Sequence, residues 1–132
     1  MQNSKSKGEI SEAIIIASIL KKGLSVSVPF GNNQRYDLII DDGSNLLKAQ
    51  CKTGRIRRGY VLFNSKSING FTFKRSGYVG QIDFFLVYCP ENEKIYKVPV
   101  REATGNSTGL RIKALERNTP RLNVKWADRY EF

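Results

Sequence analysis

A chain of 132 residues with 40% hydrophobic content can close one ordinary core and is short for two, so a single domain over residues 1–132 is expected. Its 22 basic against 12 acidic residues leave a net charge of +10, which points to a polyanionic partner such as nucleic acid, and the absence of histidine excludes histidine catalysis and histidine metal ligands. Two cysteines without CxxC spacing argue against a disulfide framework or zinc site and fit a reduced, cytoplasmic setting.

The stretch SKGEISEAIIIASILKKG predicts a helix over about 7–22, because Ile10, Ala13, Ile14, Ala17 and Leu20 recur at helical spacing and Gly23 ends the run. Ser6 and Glu9 suit a capping box, which gives Glu9 a structural task and leaves Glu12 without one. Glu12 is flanked by Ile15, Ile16 and Ile19, and a carboxylate on so apolar a flank needs a partner. The most apolar run, Ala13 to Leu20, is far below the roughly 20 residues that span a bilayer, and no amphipathic helix with a basic face is present, so no membrane partner is expected.

LSVSVPF, Leu24 to Phe30, alternates with period two and predicts a strand ending at Pro29, followed by a GNNQ loop. Residues 35–52 read as a hairpin about a two-residue Gly43-Ser44 turn. If Asp42 pairs with Asn45, Asp37 falls opposite Gln50. One face then collects Tyr36, Leu38, Ile40, Leu47, Ala49 and Cys51, wholly apolar as a buried face should be.

GYVLFN predicts a further strand, and SKSINGFTFKRSGYVGQ reads as irregular or hairpin structure. Ile82 to Cys89 has the near-continuous apolar run of a buried central strand, and Ile95 to Val100 should pair antiparallel with it. ATGNSTG reads as a loop, LRIKAL as a short edge strand and WADRYEF as a terminal helical turn or docked tail.

On a strand, residues two apart point the same way, so Gln50 and Lys52 share a face while Cys51 packs into the core. Asp37 across the ladder brings its carboxylate toward the Gln50 amide oxygen, and with a third carboxylate these would form part of the oxygen shell of a hard cation such as Mg²⁺ or Mn²⁺. Lys52 could hold or deprotonate a water and offset charge on a phosphorane-like transition state. For the hairpin alone, a merely solvated outer face is the plain alternative.

Asp37 followed after a hairpin by Gln50-Cys51-Lys52 resembles the PD-(D/E)XK nuclease signature, with glutamine replacing the usual acid, and KGEISE resembles the family's N-terminal helix motif, whose glutamate would be Glu12. Through KGEISEA, VPFGNNQRYDLII, QCKTGR, DFFLVYC and WADRYEF the chain is most similar to group I intron-encoded homing endonucleases of this type; archaeal Holliday-junction resolvases share the helix and hairpin less completely. The resemblance implies an α/β, restriction-endonuclease-like core with a mixed central sheet and an N-terminal helix, running α-β-β-β-α-β. It also implies Glu12, Asp37 and Gln50 as ligands of Mg²⁺ (or Mn²⁺), Lys52 as their catalytic partner, and DNA cleavage leaving a 5′-phosphate and a 3′-hydroxyl. A site of this kind cuts one strand, so a double-strand cutter of this size would be a homodimer or homotetramer. A junction-selective resolvase and a non-catalytic basic DNA-binding module are the competing readings.

No acidic residue lies between Asp42 and Asp83, and most of the excess charge is concentrated there. Arg35, Arg55, Arg57, Arg58, Ser65, Lys66, Lys74 and Arg75 are the expected DNA contacts, with a second basic run from Arg111 to Lys125.

Overall fold

The computed structural model describes residues 3–31, 33–68, 75–112 and 124–132. Helix α1 spans Ser4–Lys21 and begins a turn earlier than the sequence pattern indicates. Its cap is Asn3, whose Oδ1 accepts the Ser6 amide at 2.9 Å, so the expected Ser6 and Glu9 box does not set this end. Gly23, at φ 79°, closes the other end as anticipated.

The buried stripe of α1 is Ser11, Ile15 and Ile19, four residues apart, whereas Ile10 and Leu20 are exposed. Of the expected face, only Ile14 packs, in part, against the cluster of Ile15 and Ile19. Apolar residues surround nearly the whole helix, so spacing alone does not choose a side.

Strands β1 (Ser25–Ser27), β2 (Leu38–Asp41) and β3 (Leu46–Thr53) pair antiparallel in succession. The β2–β3 register is Leu38↔Ala49 through Asp41↔Leu46, as the hairpin pattern requires. Gly43 at φ 93° opens the turn, and Asp42 Oδ1 accepts from the Ser44 and Asn45 amides at 2.9 and 2.7 Å. The strand expected to end at Pro29 stops at Ser27, since Pro29 and Gly31 (φ 87°) follow and leave Val28 and Phe30 in solvent.

After an excursion through β4 (Arg55–Arg57), β5 (Tyr60–Asn64), β6 (Ser67–Ile68) and β7 (Arg75–Ser76), the chain returns as β8 (Phe84–Cys89), parallel to β3, and then β9 (Lys94–Pro99), antiparallel to β8. The mixed sheet thus runs β1-β2-β3-β8-β9. All six residues of β8 are buried because both faces are covered: Phe84, Leu86 and Tyr88 pack in the cluster with Ile15 and Ile19 of α1, and Phe85, Val87 and Cys89 pack in the opposite one.

That opposite face is covered by a second sheet, β4, β5 and β10 (Ser107–Arg111) in the order β10-β5-β4, through Val61, Phe63 and Leu110. The Phe63 and Phe85 rings lie 5.3 Å apart. An Arg58-Gly59 turn with positive φ at both residues joins β4 to β5. Here the expected α-β-β-β-α-β order fails: α1 is the only α-helix among the described residues, and PVREA forms a 3₁₀ turn, Val100–Glu102. The β6–β7 pairing agrees with the hairpin reading of that stretch, and the expected edge strand begins earlier, at Ser107. The tail docks through a 3₁₀ turn, Ala127–Tyr130, and a Phe132 amide bond to the Ile95 carbonyl at 2.9 Å.

Candidate active site

Asp37 stands where the β2–β3 ladder ends. Its amide donates to the Ala49 carbonyl at 2.8 Å, and its Oδ2 accepts the Cys51 amide at 2.8 Å. Rather than facing Gln50 as a regular pair, Asp37 holds both chain neighbours of Gln50. Regular alternation stops with the ladder: Tyr36, expected beside Leu38 and Ile40, packs instead against the cluster of Phe85, Val87 and Val98.

α1 brings Glu12 to the same place. Glu12 and Asp37 line one cleft of about 420 Å³ together with Val28, Pro29, Gly31, Gln34 and Tyr36. Burial raises the Glu12 carboxyl above its ordinary range, and the negative charges of Asp37 and Glu9 raise it further. Burial also raises Asp37, against the opposing pull of the Cys51 amide and the Lys52 charge. The Cys51 thiol is pushed far up, first by burial and then by the charges of Asp37 and Glu12, which keeps it protonated.

Gln50 and Lys52 are half-buried on the pleat opposite Cys51, and the Lys52 ammonium lies 5.4 Å from the Tyr78 ring centre. Glu12 and Asp37 supply two carboxylates whose ionisation the surroundings resist, oxygen donors of the kind a hard cation takes, and neither Gln50 nor Lys52 is among the residues lining their cleft. Among the described residues no three His, Cys, Asp or Glu side chains group so as to hold a metal ion.

The basic residues divide. Arg35 is built into the fold: its guanidinium bonds Ser67 Oγ at 2.7 Å and the Gly77 carbonyl at 2.9 Å, and lies 4.1 Å from the Tyr78 ring centre. Arg57 reaches Glu91 at 3.6 Å. Ser65 is buried, donating to the Gly105 carbonyl at 2.7 Å and accepting from Thr108 Oγ1 at 2.9 Å, so it has no hydroxyl to offer a phosphate. Arg55 and Arg58 are exposed and Lys66 half-exposed. Lys74, the Arg75 side chain and Lys113, Arg117 and Arg121 of the second basic run lie outside the described residues.

One contact escaped the sequence pattern. Ser11 Oγ and Thr53 Oγ1 are 2.6 Å apart across the α1–β3 interface. The available signal was positional: Thr53 alternates with Lys52 to the helix side of β3, and Ser11 lies one turn before Ile15.

A helix glutamate, an aspartate at the mouth of a hairpin, and Gln-x-Lys on its second strand beside a mixed sheet define a nuclease of the restriction-endonuclease-like class. The chain belongs to the PD-(D/E)XK endonuclease family, whose model matches residues 2–132. Among solved structures it is similar to a bacterial homing endonuclease, I-Ssp6803I, at 27% identity and a TM-score of 0.71, covering 99% of this chain and 88% of that one. No curated protein matches.

Proposed function

We propose that the chain is a divalent-metal-dependent endodeoxyribonuclease of homing type that forms one catalytic domain, acts in the cytoplasm and cuts double-stranded DNA as a homodimer or homotetramer. The observation that carries the reading is the convergence of Glu12 and Asp37 on one cleft, with Asp37 bonded on both sides of Gln50. The likeness to a homing endonuclease favours duplex over junction substrates.

Glu12, Asp37 and Gln50 would hold Mg²⁺ or Mn²⁺, which when bound polarises the phosphate and lowers the pKa of water. Asp37 keeps Oδ2 on the Cys51 amide, which fixes its carboxylate plane and leaves Oδ1 for the ion. Lys52, two residues beyond Gln50 on the same pleat, holds the attacking water and, as an ammonium, offsets charge on the phosphoryl oxygens at Nζ. Exposed Arg55 and Arg58, with Lys66, hold phosphates flanking the cut.

Incubation with linear duplex, a synthetic four-way junction and a genomic library, each with Mg²⁺ or EDTA, tests this. Mg²⁺-dependent duplex cutting that is lost in Asp37→Ala is expected. Binding without cutting on every substrate would leave only a basic DNA-binding module.

A further inference from the structure

The Ser11–Thr53 contact joins the two elements that carry the catalytic set. Ser11 is 2% exposed and heads the stripe that continues through Ile15 and Ile19; Thr53 is on the helix side of β3 with Cys51. Each is the chain neighbour of a proposed site residue, Ser11 of Glu12 and Thr53 of Lys52. Among the described residues no other side-chain hydrogen bond links α1 to β3.

Apolar packing is non-directional, so Ile15 and Ile19 resist separation of helix and sheet better than they resist sliding or rotation. A slip of one residue moves a helical side chain by 1.5 Å along the axis and about 100° around it. A hydroxyl pair at 2.6 Å fixes both motions at the end of the stripe that carries Glu12. Two apolar side chains of the same shape would fill that space at little cost in stability, so what the hydroxyls add is geometry.

We propose that Ser11 and Thr53 are a positioning pair that sets the Glu12 carboxylate against Asp37 and Gln50, and thereby the affinity of the site for a divalent cation. The inference rests on the metal-dependent reading above. It assigns no contact with DNA or with the ion to either hydroxyl.

The test is Mn²⁺ binding by titration calorimetry on the full chain without DNA, paired with melting temperatures in EDTA. Ser11→Ala and Thr53→Val should each weaken Mn²⁺ binding by about 10-fold or more, the range found for groups that orient metal ligands. Each should also lower the melting temperature, because one hydroxyl in the part-buried α1–β3 interface loses its partner. Ser11→Ala with Thr53→Val orphans neither hydroxyl, so it should recover most of the melting temperature but not the affinity, while Thr53→Ser should keep both. If the double variant regains affinity together with stability, or if every variant binds like wild type, the pair is ordinary packing and the proposal is wrong. A wild type that binds no Mn²⁺ overturns the metal-dependent function itself, and the positioning role with it.

Discussion

Lys52 and Asp37 carry the sharpest expectations for single side chains. Lys52→Ala removes the ammonium proposed to hold the attacking water and offset transition-state charge while leaving the carboxylates in place, so single-turnover cutting should fall about 100-fold or more with little change in DNA affinity. Asp37 and Glu12 both have carboxyls raised by burial, which sets two pH effects of definite sign. Protons compete with the cation at higher pH than at ordinary carboxylates, so metal affinity should fall as pH drops through the raised values. In the metal-free protein, a folded-state value above the unfolded one contributes stability that is complete below the ordinary range near 4 and is lost as pH rises through the raised value. Asp37→Asn should therefore raise the melting temperature in EDTA at pH 7.5, and the gain should vanish near pH 3.5. A destabilised Asp37→Asn at neutral pH would contradict the cleft as described.

At the scale of elements, the helix end offers a clean discrimination. Asn3→Ala should cost about 1 kcal/mol of stability in urea unfolding, because the Ser6 amide loses its acceptor. Ser6→Ala should cost close to nothing, since Ser6 contributes a backbone donor there and not its hydroxyl. The capping-box reading predicts the opposite order. The hairpin was legible because its turn residues and its alternation agree: Gly43 takes a positive φ, Asp42 bonds the next two amides, and Leu38, Ile40 and Ala49 share one face. The helix face was illegible because eight of the eleven residues from Ile10 to Leu20 are Ile, Ala or Leu, so spacing alone does not decide which side packs.

For the whole molecule the surface charge should dominate binding. The log–log salt slope of DNA affinity should be near −0.9 per phosphate neutralised, and the double variant Arg55→Ala with Arg58→Ala should reduce its magnitude by up to about 2. Ser65→Ala should leave that slope unchanged and instead lower stability by about 1 kcal/mol, because Thr108 and the Gly105 carbonyl lose their partner. Filter binding across a salt series, with urea melts alongside, separates the two. Sedimentation of the free protein and of its DNA complex decides whether one site or several act together.

The sequence by itself determined the local facts: a helix ahead of a hairpin, the β2–β3 register, the buried run that became β8, and the spacing that puts Gln50 and Lys52 on one pleat. These follow from period-two and helical patterns and from turn chemistry, which act between residues close along the chain. Only the tertiary structure decided what depends on distant segments meeting. A second sheet covers Phe85 and Val87, and Arg35 and Ser65 are bonded within the fold. The helix turned Ser11 toward Thr53, 42 residues away, which no local pattern encodes.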